Sequence, residues 1–275
     1  MTKFNCSSVA QATALLIATT LVPIGAQATS ITVDAAIRGT ANGTFIETGD
    51  GLSITPTLST PQVSISDSVS VNGYTFDYLA TSNIQTGTLR LLTSASSDDT
   101  SSGSATASGL GMPQAIAQMQ EDLVFTPSDN NPYTITLSYA YNGVFVEDPS
   151  SDTYADASLY YWGDGGISDV LFAELTPTGQ TNEVMQVDLV LQGQTSIGFQ
   201  AGLEAFIFSI DGGGHSTYAD FSHTASVSVA IPDGVNMTSS SGLFLTAVPL
   251  PASLPLFISA LACLGAIGRR RRQSC

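Results

Sequence analysis

Tyr133-Thr134-Ile135-Thr136-Leu137-Ser138-Tyr139 alternates apolar or aromatic residues with hydroxylated ones without a break. A side-chain period of two marks a strand with one dry face and one wet face. The same alternation recurs at residues 31–33, 63–69, 184–190 and 225–229. Two more continuous apolar runs, Ala157-Ser158-Leu159-Tyr160-Tyr161-Trp162 and Ala205-Phe206-Ile207-Phe208-Ser209-Ile210, fit central strands covered on both faces. Turn chemistry separates the blocks: Asn42-Gly43, Asp50-Gly51, Asn72-Gly73, Asn142-Gly143, Asp164-Gly165-Gly166 and Asp233-Gly234. Strands this closely spaced predict an all-β body, an antiparallel β-sandwich of jelly-roll-like form. One stretch departs from the pattern. Met112, Ile116, Met119 and Leu123 have helical spacing and predict a short helix over 113–121, after a Ser/Gly/Ala-rich and weakly structured stretch at 93–111.

Both ends of the chain read differently from this body. Residues 1–28 carry Lys3, an uncharged and largely apolar run, and Ala26-Gln27-Ala28, a small-x-small cleavage site, so they predict a removable signal peptide. Residues 248–275 open with Val248, Pro249, Leu250, Pro251 and Ala252, continue uncharged and mostly apolar to Gly268, and stop at Arg269, Arg270, Arg271 and Arg272. The 21 residues of 248–268 suffice to cross a hydrocarbon core of about 30 Å. The arginine cluster then acts as a stop-transfer signal and holds the C-terminus in the cytoplasm, with residues 29–247 outside.

This three-part ending resembles the PEP-CTERM sorting signal in its VPLPA form. The resemblance covers about a tenth of the chain and implies an exosortase-type processing enzyme as partner, in a Gram-negative cell that makes exopolysaccharide. It implies an inner-membrane-anchored intermediate that is then moved to the cell surface or extracellular matrix. The segment from Tyr218 to Leu245 resembles the closing hairpin that precedes many such tails. A GPI signal also ends in an apolar tail, but without a basic stop.

Composition narrows what the body can do. Between Thr29 and Ala247 there are two cations, Arg38 and Arg90, against all 23 acidic residues, a balance of −21. Such a surface repels phosphate backbones and anionic headgroups, which argues against nucleic acid as a partner. The three cysteines, Cys6, Cys263 and Cys275, all lie outside the body, so neither a disulfide nor a thiolate metal site can form within it.

No nucleophile motif stands out. There is no Gly-x-Ser-x-Gly elbow, and without lysine in the body no Ser-x-x-Lys pair can form. His215, in Asp211-Gly-Gly-Gly-His215, and His223, in Asp220-Phe-Ser-His223, would make a zinc site only if the fold brought both histidines and a carboxylate together; a loop position and a polar strand position are expected for them instead. Calcium is the most plausible ion: Asp148, Asp152 and Asp156, with Glu147, make one oxygen-rich candidate, and Asp164 with Asp169 another. Neither follows EF-hand order, and no cofactor is otherwise expected. The reading adopted is a non-enzymatic structural or adhesive protein of the envelope. One alternative is a carbohydrate-binding module in which Tyr160, Tyr161 and Trp162 form a stacking platform; another is an exported hydrolase.

Sequencing the mature protein from envelope material should find Thr29 first, and mass spectrometry of the surface-associated form should show the arginine tail removed. A chain still beginning at Met1 would contradict export by this signal.

Overall fold

The computed structural model describes residues 29–57, 59–107, 112–175 and 179–244. The expected signal peptide and its cleavage site at Ala26 and Ala28 lie outside the described residues, as do the motif 248–252, the apolar span and the arginine cluster 269–272. Among the described residues no helix is long and apolar enough to cross a membrane.

The described residues form antiparallel strands and one 3-10 turn. The larger sheet contains β1 (Ser30–Ala41), β2 (Thr44–Ile54), β6 (Ser104–Ala107), β7 (Gln114–Pro127), β9 (Ser151–Gly163), β10 (Ile167–Glu174), β12 (Thr195–Asp211) and β14 (Val235–Ser239). The smaller contains β3 (Gln62–Val71), β4 (Tyr74–Asn83), β5 (Thr88–Ser97), β8 (Tyr133–Val146), β11 (Gly179–Leu191) and β13 (Ser216–Ala230), in the order β11-β8-β13-β5-β4-β3. In the larger sheet β12 pairs with β9 on one side, while β7 and β6 share the lane on its other side. Similarly, β1 and β14 share the lane beyond β7, meeting opposite its middle.

The two sheets face each other through β12 with β5, and through β1 and β7 with β4, and their inward residues form one hydrophobic cluster. The fit is small against large. Ala35, Ala115, Ala205 and Ala155 stand directly across from one another on four adjacent strands, and all are essentially inaccessible. The facing sheet supplies the bulk: Tyr74, Phe76, Tyr139, Tyr141, Phe145 and Phe221 are fully buried. The Tyr139 hydroxyl donates across the interior to the Gly202 carbonyl at 3.1 Å.

Every alternating block identified in the sequence lies in a strand. Asn42 and Gly43, with φ of 47° and 76°, turn β1 into β2, and Asn72 and Gly73, at 50° and 82°, turn β3 into β4. Four expectations need correction. Residues 113–121 are not helical but open β7, because the inward residues are Ala115, Ala117 and Met119 while Ile116 points to the other face. The stretch 93–111 is not weakly structured at 93–97, which completes β5, or at 104–107, which forms β6. Asp50-Gly51 and Asn142-Gly143 are strand residues rather than turns. At Gly143 a missing side chain is what the site requires, because a Cβ there would lie 2.2 Å from the Phe221 ring. Finally, the expected closing hairpin does not pair with itself: β13 pairs β5 and β8 in one sheet, and β14 pairs β7 in the other.

Leucine in place of Ala115 or Ala205 forces extra volume into a filled interior, which costs about 1–3 kcal/mol. Urea unfolding should show that loss, whereas a substitution at exposed Ser228 should stay within about 0.5 kcal/mol of the parent.

Candidate functional site

With odd-numbered residues of β9 and β12 turned inward over most of their length, the even-numbered ones form the outer face of the larger sheet. Register arranges that face in rows across the strands. Tyr154 stands opposite Phe206, which is followed outward by Phe208. The next row is acidic, Glu174 opposite Asp156 opposite Glu204. Phe172, Ser158, Gly202, Gln118 and Thr32 come next, then Val170, Tyr160, Gln200, Gln120 and Ser30. Trp162 opposite Gly198 completes the series.

The rings at the two ends are held by local sterics. Trp162 lies over Gly198, where a Cβ would approach the indole to 2.2 Å, and its centroid is 5.3 Å from that of Tyr160. Tyr154 and Phe206 are 6.2 Å apart, and Phe206 stacks on Phe208 at the same separation. Tyr160 and Trp162 are half-buried, whereas Phe172 and Val170 on edge strand β10 are exposed. Beside the ring clusters, toward β7 and β1, Ser30, Thr32, Gln118, Gln120 and Gln200 line a depression of about 190 Å³.

Two members of the acidic row, Asp156 and Glu204, are poorly solvated, whereas Glu174 is exposed. Burial lifts the Asp156 carboxyl to about 7; the neighbouring Glu204 charge adds to this, the Tyr154 hydrogen bond opposes it, and Glu174 contributes less. Burial also raises Glu204, against the opposing hydrogen bond from Gln118 Nε2 at 3.2 Å. Burial and Asp156 together raise Tyr154. Asp156 therefore exchanges its proton near neutrality, in a setting of rings, amides and hydroxyls.

The expected site residues are placed as follows. Tyr160 and Trp162 do sit together on the outer face, but Tyr161 points into the core at 6 % exposure and is no part of a platform. The calcium candidates are spread along the length of β9. Asp148, in the loop before it, accepts from Ser150 and lies 3.1 Å from His215 Nδ1. Asp152 is exposed near the start of β9, Asp156 belongs to the acidic row, and Asp164, in the turn after β9, accepts from the Ser196 amide at 3.3 Å. Glu147 accepts from the Thr153 amide, and Asp169 is on β10. Among the described residues no three His, Cys, Asp or Glu side chains are grouped as a metal site. His215 is a loop residue, and His223 falls within β13. Glu174 and Glu204 escaped sequence reasoning because only strand register brings them beside Asp156.

No family model matches the chain, and no curated protein matches it. Among solved structures it is similar to a family 35 carbohydrate binding module from an environmental isolate, at 15% identity over 50% of this chain and 80% of that one, with a TM-score of 0.18. At that score the likeness carries no argument.

Because the folded Asp156 binds its proton up to about pH 7 and an unfolded aspartate only to about 3.9, the folded state holds the extra proton between those values. Stability from this group is therefore greatest at low pH and falls as pH rises from about 4 to 7. Asp156→Asn should remove that fall, raising Tm at pH 8 by roughly 10 °C while leaving it little changed at pH 4.

Proposed function

We propose that this jelly-roll-like body is a non-catalytic component of the cell surface or extracellular matrix that holds glycan on the outer face of its larger sheet. The observation that carries the reading is the pair of ring clusters on the outer face, Tyr160–Trp162 and Tyr154–Phe206–Phe208, set on the same strands as Gly202 and Ser158 and beside the polar depression over β12, β7 and β1. The apolar CH faces of a sugar stack on such rings, and its hydroxyls need donors and acceptors beside them. Gln118, Gln120, Gln200, Ser30, Thr32 and Glu204 supply both. Tyr154, Tyr160, Trp162 and Phe208 are half-buried on this face, while Phe206 is buried beneath its neighbours.

Delivery to that location belongs to the same proposal. The body is exported by the 1–28 signal and arrested by Arg269–Arg272. It is then released or transferred near residues 248–253 by an exosortase-type enzyme. Its acidity keeps it soluble and lets divalent ions such as calcium bridge it weakly to anionic exopolysaccharide.

A hydrolytic reading draws on Asp156 and Glu204, two carboxyls on neighbouring strands. They are register partners on adjacent strands of one sheet, so both would meet a sugar from the same side rather than flank its glycosidic bond. The envelope-isolated protein on a glycan array should bind a defined set of glycans, and Trp162→Ala or Tyr160→Ala should weaken binding about tenfold or more with the fold retained. Turnover of a bound glycan that Asp156→Asn or Glu204→Gln abolishes would replace this reading with the hydrolytic one.

A further inference from the structure

Glu121 is fully buried, in the inward row of β7 opposite Phe199. It occupies the joint where the shared lane of β14 and β1 is interrupted. The residues after β14 arrive from one side and the start of β1 leaves from the other, so the two ends of the body meet at this carboxylate.

Among the described residues, its donors come from those ends or from the adjacent backbone. Oε1 accepts from Thr29 Oγ1 at 2.8 Å, Ser240 Oγ at 2.5 Å, and the amides of Asp122 and Ser241 at 3.1 and 3.2 Å. Oε2 accepts from Ser241 Oγ. Thr29 Oγ1 and Ser240 Oγ also lie 2.7 Å from each other. These two oxygens and Glu121 Oε1 thus form a triangle of three short contacts, for which two hydroxyls supply only two hydrogens. With the carboxyl ionised the triangle is one hydrogen short, and among the described residues every donor in it is neutral. A fully buried carboxylate satisfied by neutral donors alone still carries an uncompensated charge. Arg38 pairs with Glu47 at an exposed site, and Arg90 is exposed on the smaller sheet.

We propose that the missing partner is the chain's own α-ammonium: the Glu121 carboxylate is a binding site for the N-terminus at Thr29, created when the leader is cut off after Ala28. Hydrolysis of the Ala28–Thr29 bond adds one water, leaving a carboxylate on Ala28 and an ammonium on Thr29. That ammonium is carried by the residue whose hydroxyl already touches Glu121, itself only 7 % exposed. Before cleavage the same nitrogen is a neutral amide with one hydrogen. After cleavage it brings three donors and a positive charge to the joint, tying the first residue of the body to Ser240 and Ser241. Processing thereby completes the fold.

The inference rests on cleavage after Ala28, so the mature N-terminus is sequenced first. A start other than Thr29 overturns both the cleavage reading and this one. Lys3 is the only lysine in the chain, so the processed protein has a single primary amine, the α-amine itself. It can be titrated by acetylation with an N-hydroxysuccinimide ester across a pH series on the protein isolated from the envelope. An ordinary α-amine becomes reactive around pH 7.7–8.0. The expected result is an onset of labelling displaced to higher pH, with a rate at pH 8 about tenfold below that of the same protein in denaturant. Glu121→Gln should return the onset to the ordinary range, a response that burial alone does not produce. An ordinary onset in the native wild-type protein overturns the proposal without recourse to the variant. So does a displaced onset that Glu121→Gln leaves in place.

Discussion

The row Ala35–Ala115–Ala205–Ala155 sets how closely the two sheets approach, and most of the structure follows from that spacing. Side chains of one carbon on the larger sheet leave room for whole rings from the smaller one, and Tyr139 reaches far enough to donate to the Gly202 carbonyl of the opposite sheet. A body without cysteine has no covalent means of holding two sheets together, so shape complementarity at interior packing density must do it. Larger residues in the alanine row would separate the layers along their whole breadth rather than at one point.

The same spacing locks the parity of β9 and β12, and parity decides what the outer face shows. With Ala201, Leu203 and Ala205 turned inward, Gln200, Gly202, Glu204 and Phe206 have to point outward, and a slip of one residue would bury a glutamate and expose the core. Glycine at 198 then lets the Trp162 indole lie down on the sheet, and glycine at 202 admits the Ser158 hydroxyl. The Trp162 ring is therefore oriented by the fold itself, which would reduce the ordering cost of the proposed binding.

Strands with one wet face were legible because their polar residues mark every second position, as in 133–139. Strand β7 was not, since its inward residues are small or even acidic, Ala115, Ala117 and Glu121, while an apolar Ile116 faces outward; composition there mimics a helical stripe. The run 157–162 shows the other limit. Tyr160, Tyr161 and Trp162 are equally aromatic, and nothing local states that the middle one is core; only the partner strand settles it. The acidic row lay beyond reach for a related reason. Glu174, Asp156 and Glu204 are far apart in the chain, and the one available clue was a glutamate in the otherwise apolar run that became β12.

The shortage of cations also shapes how the interior handles charge. In most proteins a buried carboxylate is matched by arginine or lysine, but here the body has two arginines, both at the surface, and no lysine. Three other solutions appear instead. Glu121 gathers hydroxyl and amide hydrogens. Glu204 leans on the Gln118 amide, and Asp156 keeps its proton to about pH 7. Each leaves the carboxylate with an unmet preference for positive charge, at the joint between the chain ends in one case and on the outer face in the other two. A chain so poor in cations thus makes its buried acids receptive to whatever positive or hydrogen-rich group comes next to them.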